Sequence, residues 1–469
     1  MTIPSPEPTE AAPAAKGDAR GRLAALAVTI TSAIIVLTCG APREPAAPPA
    51  VPSAPPSIAP SAAEIPVAIP TTSAAAAPPL EVPTAAAMAS AQPVTAPAGP
   101  LARTAGHELD SFYAALRELE HHTRSEHVRV AWMGDSHGAS DFWSGSLRSA
   151  LQKRFGNGGP GYVTIGNKGY RHDGVKMEVG GKWRPRPKGA STVIPTGDGI
   201  FGLGGFLMIG QEGSPHAVFK LGAQDPPLPA GLSWDLCYKP ATKKDELEVK
   251  LDGVTVRSLP AKGDTRGALH HAVFTSKGAD PTVIVNPKGG FPELCGLVIE
   301  ADPKASPGVV LDTLGINGAR LATPLAWNEA SWVSELSRRT PALVVLEYGT
   351  NESGDYKIDN AVYVAHLTEV MARVHRASAK TDCLVLSPTD RADTRERTPL
   401  VRDALEQAAK AAGCGFWDTY RVMGGKGSIL AWRAENPPKA AGDGVHLTMK
   451  GYRELGDKLA ADVLGAYVP

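Results

Sequence analysis

The chain lacks an excess of either charge, because its 48 lysine and arginine residues equal its 48 aspartate and glutamate residues. Nucleic-acid-binding proteins carry a basic excess, so we predict no nucleic-acid partner. Histidine and cysteine residues nowhere show the spacing of zinc ligands. A glycine-rich loop at residues 155–162 is not followed by Lys-Ser or Lys-Thr at the offset of a phosphate loop. The sequence therefore predicts neither a metal nor a cofactor.

Residues 1–40 have the pattern of an export signal or a membrane anchor. Basic residues between positions 16 and 22 precede an apolar stretch at 23–37, which is the order found in secretory signals. The stretch is short for a membrane span, which needs about 20 residues. A cleaved signal peptide, an uncleaved anchor and a lipoprotein signal all stay open. Cys39 stands where a lipidated cysteine would, although Thr38 replaces the glycine or alanine that usually precedes it.

Residues 41–104 are dominated by alanine and proline and carry very few charges. Such a segment cannot build a hydrophobic core, so we predict a disordered, extended tether. An export signal followed by a tether indicates that the rest of the chain works in the cell envelope, in the periplasm or outside the cell. The expected membrane contact is the N-terminal segment itself or a lipidated Cys39.

Two stretches, residues 105–174 and 307–469, alternate apolar strands with amphipathic helices. The apolar run at 128–133 is the first predicted strand, and the runs at 309–314 and 342–348 resume the pattern. Such alternation predicts a parallel sheet that is covered by helices on both faces. We therefore predict a three-layer α/β/α domain.

Between these stretches, residues 175–306 have a different character. Helical periodicity disappears, and short alternating runs are separated by glycine and proline turns. An Asp-Gly turn at 252–253 joins two such runs and is a strong hairpin signal. The pattern predicts an all-β sandwich that is inserted into the α/β domain.

Besides Cys39, the chain has four cysteines, and an even number permits disulfides in an exported protein. Cys237 and Cys295 lie in the predicted sandwich, whereas Cys383 and Cys414 lie in the predicted α/β domain. Buried free thiols are the alternative for each pair. A bridge between Cys237 and Cys295 across the sandwich is our hypothesis for the first pair.

Four separate segments place polar or glycine residues on turns that follow a strand or precede a helix. The residues are Ser136, Gly318, Asn351 and the pair Asp443 and His446. The carboxyl ends of parallel strands meet at one edge of a sheet, so these turns can meet in space. Acyl transfer needs a nucleophile, a base, a group that orients the base and donors for an oxyanion.

These residues fit the four roles. Ser136 is the predicted nucleophile, His446 the base and Asp443 the group that orients the base. The backbone N–H groups of Ser136 and Gly318 and the side-chain amide of Asn351 are the predicted oxyanion donors. Each residue also has an ordinary alternative. Ser136 could cap a helix, while Gly318 and Asn351 could serve only to form tight turns.

The same segments resemble the sequence blocks of the SGNH, or GDSL-type, hydrolase superfamily. Gly-Asp-Ser-His at 134–137 resembles the first block and Gly318 the second. Gly-Thr-Asn-Glu at 349–352 resembles the third and Asp-Gly-Val-His at 443–446 the last. The resemblance implies a flavodoxin-like α/β/α fold and a carboxylic ester hydrolase that works through an acyl-enzyme intermediate.

Further segments are similar to those of bacterial peptidoglycan O-acetylesterases. They are Arg-Phe-Gly-Asn-Gly-Gly-Pro-Gly at 154–161, Lys-Gly-Tyr-Arg at 168–171 and Leu-Gly-Ile-Asn-Gly-Ala at 314–319, together with the insert. The similarity implies that the insert resembles a jelly-roll carbohydrate-binding module. It also implies an O-acetylated glycan as substrate, with the acetyl group on the 6-hydroxyl of N-acetylmuramic acid. The candidates for aromatic contacts to the glycan are Trp143, Tyr162, Tyr170, Trp183 and Trp234.

Three other functions stay open. An esterase that acts on another acetylated polysaccharide, such as xylan or an exported capsule, fits the same chemistry. A transferase that moves acetyl groups onto a glycan would use the same residues. A wall-binding protein, in which the sandwich binds and the triad is inactive, belongs to a different class. Turnover of a chromogenic acetate ester separates this last function from the others.

Overall fold

A computed structural model describes residues 101–102, 106–188, 196–211, 213–278, 280–394 and 396–469. The predicted signal or anchor segment and almost all of the predicted tether lie outside the described residues. Among the described residues, no helix combines the length and the hydropathy that a membrane crossing needs.

The described residues form seventeen strands, eight α-helices and two 3₁₀ helices, at Thr323–Ala326 and Glu352–Gly354. In chain order, the strands are β1 (Leu101–Ala102), β2 (Val128–Gly134), β3 (Gly161–Val163), β4 (Val175–Gly180), β5 (Trp183–Arg186), β6 (Leu207–Gly210), β7 (His216–Leu221), β8 (Leu232–Lys239), β9 (Glu246–Leu251), β10 (Val254–Leu259), β11 (His270–Ser276), β12 (Thr282–Gly289), β13 (Glu293–Ala301), β14 (Val309–Gly315), β15 (Leu343–Glu347), β16 (Asp382–Leu386) and β17 (Gly415–Trp417). The helices are α1 (Asp110–Glu120), α2 (Trp143–Phe155), α3 (Glu329–Arg339), α4 (Asn360–Ala377), α5 (Thr398–Ala412), α6 (Thr419–Met423), α7 (Ser428–Ala434) and α8 (Met449–Gly465).

One six-stranded sheet has the order β1-β17-β16-β15-β2-β14. Strands β17, β16, β15, β2 and β14 run parallel, and β1 adds to the edge in the antiparallel direction. Successive residues of a strand point to opposite faces. Trp132 therefore shares a buried core with Phe112 of α1 and Leu147 of α2, whereas Met133 shares another with Leu367 of α4. Helices cover both faces, which confirms the predicted three-layer α/β/α architecture.

The edge strand β1 falls inside the stretch that the sequence analysis assigns to the tether. Leu101 pairs with Trp417, and Ala102 pairs with Phe416. Two residues are too short to show any period in the sequence, so the ordered part of the chain begins earlier than composition indicates.

Two antiparallel sheets are built from the strands between α2 and β14. Their orders are β10-β9-β12-β7-β4 and β11-β8-β13-β6-β5, and β3 also pairs with β13. Phe219 of β7 and Val249 of β9 share one buried core with Trp234 of β8 and Leu297 of β13, so the two sheets pack face to face. Strand β3 precedes the predicted insert, yet it belongs to the second sheet. Its three residues lie among glycines and carry no periodic signal.

Both cysteine pairs form disulfides. Cys237 of β8 is bonded to Cys295 of β13, with their Cα atoms 5.1 Å apart. Because β8 and β13 are neighbours in one sheet, this bridge lies within a sheet and not across the sandwich as the sequence analysis expects. The second bridge joins Cys383 of β16 to Cys414, just before β17.

Asp141 anchors the chain after β2 to the start of the antiparallel sheets. Its fully buried carboxylate accepts two hydrogen bonds from Arg148 of α2, at 2.7 and 2.8 Å. It also accepts the Thr313 hydroxyl at 2.7 Å and the Asp173 backbone N–H at 2.9 Å. Burial alone would raise the pKa of Asp141, but the charge of Arg148 outweighs it and holds that pKa well below its ordinary value.

A second ion-pair group joins β13 to the parallel sheet. Glu300 accepts two hydrogen bonds from Arg129 of β2, at 2.8 and 3.0 Å, and one from Arg339 of α3 at 2.6 Å. Arg339 also donates to Asp312 of β14 at 2.8 Å. Burial alone would raise the pKa of Glu300, but the charges and hydrogen bonds of Arg339 and Arg129 lower it far below its ordinary value. We call the Asp141 and Glu300 groups together the junction ion pairs.

Candidate active site

Ser136 lies on the turn that follows β2 at the carboxyl edge of the parallel sheet. We call residues 134–138 the nucleophile turn. Helix α2 begins only at Trp143, and its N-terminal flanking residue is Phe142. Ser136 is therefore not the cap of this helix. The turns between Ser136 and α2 include Asp141 at a positive φ of 42°, and they separate the serine from the helix.

The structure brings Ser136, His446 and Asp443 together. The Ser136 Oγ lies 2.8 Å from His446 Nε2, and His446 Nδ1 lies 2.7 Å from Asp443 Oδ2. A proton on Nδ1 that is donated to Asp443 leaves Nε2 free to accept the serine hydroxyl proton. The sequence-predicted triad thus has the geometry that nucleophilic catalysis needs.

Asp443 is held on the same loop as the histidine that it orients. Its Oδ1 accepts the backbone N–H of Val445 at 2.9 Å and that of His446 at 3.0 Å. Partial burial alone would raise the pKa of Asp443, but the hydrogen bonds from the His446 side chain and from these two N–H groups lower it to about 2. Asp443 is therefore ionised at neutral pH.

Gly318 and Asn351 lie on the turns after β14 and β15. Gly318 has φ +78°, a conformation that favours glycine. The Asn351 amide donates one hydrogen bond to the Ala319 carbonyl at 2.9 Å, and an amide has a second hydrogen to donate. Ser136, Gly318, Asn351 and His446 line one open cleft of about 520 Å³, which we call the catalytic cleft.

Comparisons with known proteins agree with this geometry. The family model described as "GDSL-like Lipase/Acylhydrolase family" matches residues 276–454, a range that holds Gly318, Asn351, Asp443 and His446 but not Ser136. A solved structure of a peptidoglycan O-acetylesterase is 25% identical, with a TM-score of 0.63. The match covers 78% of this chain and 99% of that one.

The family match and the site geometry support a GDSL-type SGNH hydrolase. The chain is therefore a carboxylic ester hydrolase, and it resembles peptidoglycan O-acetylesterases. Other matches are more distant, and no curated protein sequence matches the chain. A family two carbohydrate esterase from Clostridium thermocellum is 9% identical, covers 55% of this chain and 96% of its own, and has a TM-score of 0.26. An acetylxylan esterase from Geobacillus stearothermophilus is 16% identical, covers 34% of this chain and 73% of its own, and has a TM-score of 0.27.

His137 of the hydrolase lies behind the base and not in its place. Its ring is buried. Nδ1 forms a hydrogen bond with the Tyr452 hydroxyl at 3.1 Å, and Nε2 forms one with the Thr389 hydroxyl at 3.3 Å. Its centroid is 5.3 Å from that of His446. Burial, reinforced by the charges of His446 and Arg391, lowers the pKa of His137 to about 3. A neutral His137 can support the position of His446 without competing for the serine proton.

Sequence reasoning missed a pair of buried carboxyl groups beneath the nucleophile turn. Glu347, the last residue of β15, accepts the Asp135 backbone N–H at 3.3 Å, and Asp135 accepts the His137 N–H at 2.9 Å. A Cβ atom at Gly134 would lie 2.3 Å from Glu347 Oε2, so glycine is needed there. The sequence offered one clue to this pair, because Glu347 is a single acidic residue at the end of an otherwise apolar strand.

The surroundings of this carboxyl pair favour a bound proton. Burial raises the pKa of both Asp135 and Glu347, and for Glu347 the neighbouring Asp135 charge raises it further. Among the described residues, Asp135 Oδ2 is buried without a donor if both groups are ionised. A proton on Glu347 supplies that donor and removes the repulsion between the two carboxylates.

The aromatic candidates for glycan contacts are largely part of the hydrophobic cores. Trp143, Tyr162 and Trp234 are at most 3% exposed. The Tyr162 hydroxyl donates to the Cys295 carbonyl, and Trp234 donates to the Ser276 hydroxyl. Partly buried Trp183 packs against Gly166. Only Tyr170 lines a pocket near the catalytic cleft.

One cluster among the described residues has the residue types of a metal site, namely Cys237, His271 and Glu335. The sulfur of Cys237 is already bonded to Cys295, so it is not a thiolate ligand. His271 instead hydrogen-bonds to Asp235 at 2.9 Å and to Glu335 at 3.1 Å. These residues form a structural ion-pair group and do not fit a metal.

Proposed function

We propose that this hydrolase removes O-acetyl groups from cell-wall peptidoglycan, at the 6-hydroxyl of N-acetylmuramic acid. The main support for this proposal is the similarity to a peptidoglycan O-acetylesterase, which extends over 78% of the chain at a TM-score of 0.63. That coverage exceeds what the parallel-sheet part alone would supply, so the antiparallel sheets share in the similarity.

The first half of the proposed reaction transfers the acetyl group to the enzyme. The Ser136 Oγ attacks the acetyl carbonyl carbon while His446 Nε2, 2.8 Å away, takes the hydroxyl proton. The resulting imidazolium is stabilised by ionised Asp443, 2.7 Å from Nδ1. His446 then returns the proton to the sugar oxygen as the carbon–oxygen bond breaks, and the glycan leaves with a free 6-hydroxyl.

Charge on the carbonyl oxygen develops during each half-reaction. The proposed donors are the backbone N–H groups of Ser136 and Gly318 and the second amide hydrogen of Asn351, which all border the catalytic cleft. Arg320 donates to the Asn351 carbonyl at 3.2 Å and pairs with Asp355, which holds the Asn351 turn in place. In the second half-reaction, His446 activates a water that releases acetate from Ser136.

The proposed location is the cell envelope, with the hydrolase tethered by its N-terminal segment. Two disulfides support an oxidising compartment, because the cytosol keeps thiols reduced. Peptidoglycan lies in that same compartment, so location and substrate agree.

Acetate release from purified O-acetylated peptidoglycan, measured beside acetylated xylan, tests the proposal. We expect release from peptidoglycan and little from xylan, and none from either with Ser136→Ala. Mass spectrometry of the treated fragments should show loss of O-acetyl groups only. An amide has a poorer leaving group than an ester, so the N-acetyl groups should remain.

Two results would overturn the substrate assignment. Activity on xylan alone would make the protein an esterase for another polysaccharide. Acetylation of glycan that depends on an added acetyl donor would make it a transferase.

A further inference from the structure

A second pocket adjoins the catalytic cleft. It encloses about 360 Å³ and shares Ser140 and Asn317 with the cleft. We call it the insert pocket. A substrate held at Ser136 can therefore extend into this pocket without leaving the protein surface.

The walls of the insert pocket come from both parts of the hydrolase. Residues 315–317, at the end of β14 and just after it, form one wall, and Pro185 of β5, Met208 of β6 and Phe206 just before β6 form the other. Phe206 and Met208 are at most 8% exposed, so these two side chains present little apolar surface to solvent outside the pocket. The pocket exists only because the antiparallel sheets lie beside the nucleophile turn.

One polar group in the insert pocket has no partner. Thr164 is 3% exposed, and within the part of the chain that the structure describes its hydroxyl makes no hydrogen bond. Buried hydroxyl groups are nearly always hydrogen-bonded, since leaving one unpaired is unfavourable. Ser140, Asn167 and Asn317 also line this pocket, so its polar groups, with the unpaired Thr164 hydroxyl among them, indicate a ligand that brings its own polar atom.

We propose that the insert pocket binds the acetamido group of an N-acetylated sugar in the glycan chain. An acetamido group has an apolar methyl, which suits Phe206 and Met208, and an amide, which can hydrogen-bond to the Thr164 hydroxyl. The face of a sugar ring can pack on Tyr170 at the same wall. This inference rests on the proposed function and names the chemical feature by which that site selects its substrate.

Such a pocket would let the enzyme discriminate between peptidoglycan and xylan. Every sugar of the peptidoglycan backbone carries an acetamido group, whereas the xylose units of xylan carry none. Xylan would leave the Thr164 hydroxyl unpaired, and a site that must pair a buried polar group discriminates strongly against a ligand that lacks the partner.

The test compares two disaccharides that differ only in this feature, 6-O-acetylated chitobiose and 6-O-acetylated cellobiose. We expect wild-type kcat/KM to be about tenfold or more higher on the chitobiose ester. Thr164→Val keeps the side-chain shape and removes the hydroxyl. It should lower kcat/KM on the chitobiose ester by about 2- to 12-fold and leave the cellobiose ester unchanged. Its melting temperature should not fall, because the hydroxyl has no partner to lose.

A second variant fills the pocket from its exposed rim. A Cβ added at Gly169 meets only Asn167 Oδ1, at 3.6 Å, so Gly169→Leu should fold normally while its side chain occupies the pocket. We expect it to lose the preference for the chitobiose ester and to keep wild-type turnover of 4-nitrophenyl acetate. Gly278→Leu is the matched control, because a Cβ there meets nothing within 4 Å.

The outcomes separate this inference from the proposed function. If the wild type releases acetate from peptidoglycan but treats the two disaccharides equally, the inference is wrong and the function stands. If the preference survives in both Thr164→Val and Gly169→Leu, the acetamido group binds elsewhere and the inference is again wrong. Activity on xylan without activity on peptidoglycan would overturn the proposed function itself.

Discussion

Two groups of buried acidic residues in this hydrolase differ in their surroundings. At the nucleophile turn, Asp135 and Glu347 are buried, and no lysine or arginine among the described residues pairs with them. Burial therefore raises their pKa values. In the junction ion pairs, Asp141 is fully buried and the Glu300 side chain is 13% exposed, but each faces arginine and has its pKa lowered.

The difference shows what each group contributes. A buried carboxyl pair without a cation lowers stability at neutral pH, and here it lies directly beside Ser136, where it accepts hydrogen bonds from the backbone of the nucleophile turn. A buried carboxylate that is matched by arginine joins separate segments, although removing one partner leaves an unpaired charge. Substitutions at the active-site edge should therefore mainly lower activity, and substitutions in the junction ion pairs should mainly lower stability. Four measurements sharpen that contrast.

The largest effect is expected for the nucleophile itself. Ser136→Ala should lower kcat/KM on a small acetate ester by about 10⁴-fold or more, because one missing triad member disables the unit. Its unfolding free energy should stay close to that of the wild type. Ser149→Ala on the exposed face of α2 is the control and should be fully active. Residual turnover near the wild-type level in Ser136→Ala would refute the triad assignment.

At the junction, Asp141→Asn should act on stability. The variant keeps a residue that tolerates positive φ but leaves Arg148 buried without its partner, at a cost of about 3–5 kcal/mol in unfolding free energy. Denaturant unfolding measures this cost, and the exposed pair of Lys153 and Asp225 offers a control in which Lys153→Met changes little. Adding Arg148→Met to Asp141→Asn should recover part of the loss. No recovery would mean that the ion pair is not the reason for the loss.

In the catalytic cleft, Asn351→Ala should lower activity. We expect kcat to fall by about 10²- to 10³-fold with little change in KM, because an oxyanion donor acts mainly on the transition state. Loss of its hydrogen bond to Ala319 should cost only about 1 kcal/mol in stability. Asn360→Ala, at an exposed helix start, is the matched control. A rise in KM at constant kcat would instead make Asn351 a substrate contact.

The smallest expected effect is a change in the pH dependence of stability. Because the pKa of Glu347 is raised in the folded state, that state binds more protons than the unfolded chain, and stability falls as pH rises above about 4.5. Glu347→Gln removes this titration and keeps both an acceptor and a donor. We expect its unfolding free energy to decline less than that of the wild type from pH 5 to 8. Exposed Glu126→Gln should follow the wild type. Parallel curves for all three proteins would show that Glu347 does not carry the proton.

Local signals predicted much of the fold. The apolar run at 128–133 forms β2, and the run at 342–348 contains β15, because central parallel strands are buried on both faces and need apolar residues throughout. The signal failed where an element was too short to show a period, as in β1 and β3, and where loop turns delayed the start of α2.

The sequence by itself determined the chemistry of the site, because Ser136, Asn351 and the Asp443/His446 pair each lie on a turn whose position follows from the strand or helix beside it. Only the tertiary structure decided what lies under and beside those turns. Glu347 meets Asp135 because β15 pairs with β2 in register, and Thr164 lines a pocket because the antiparallel sheets pack beside the nucleophile turn. Such contacts depend on how strands far apart in the chain align, and no local period encodes that alignment.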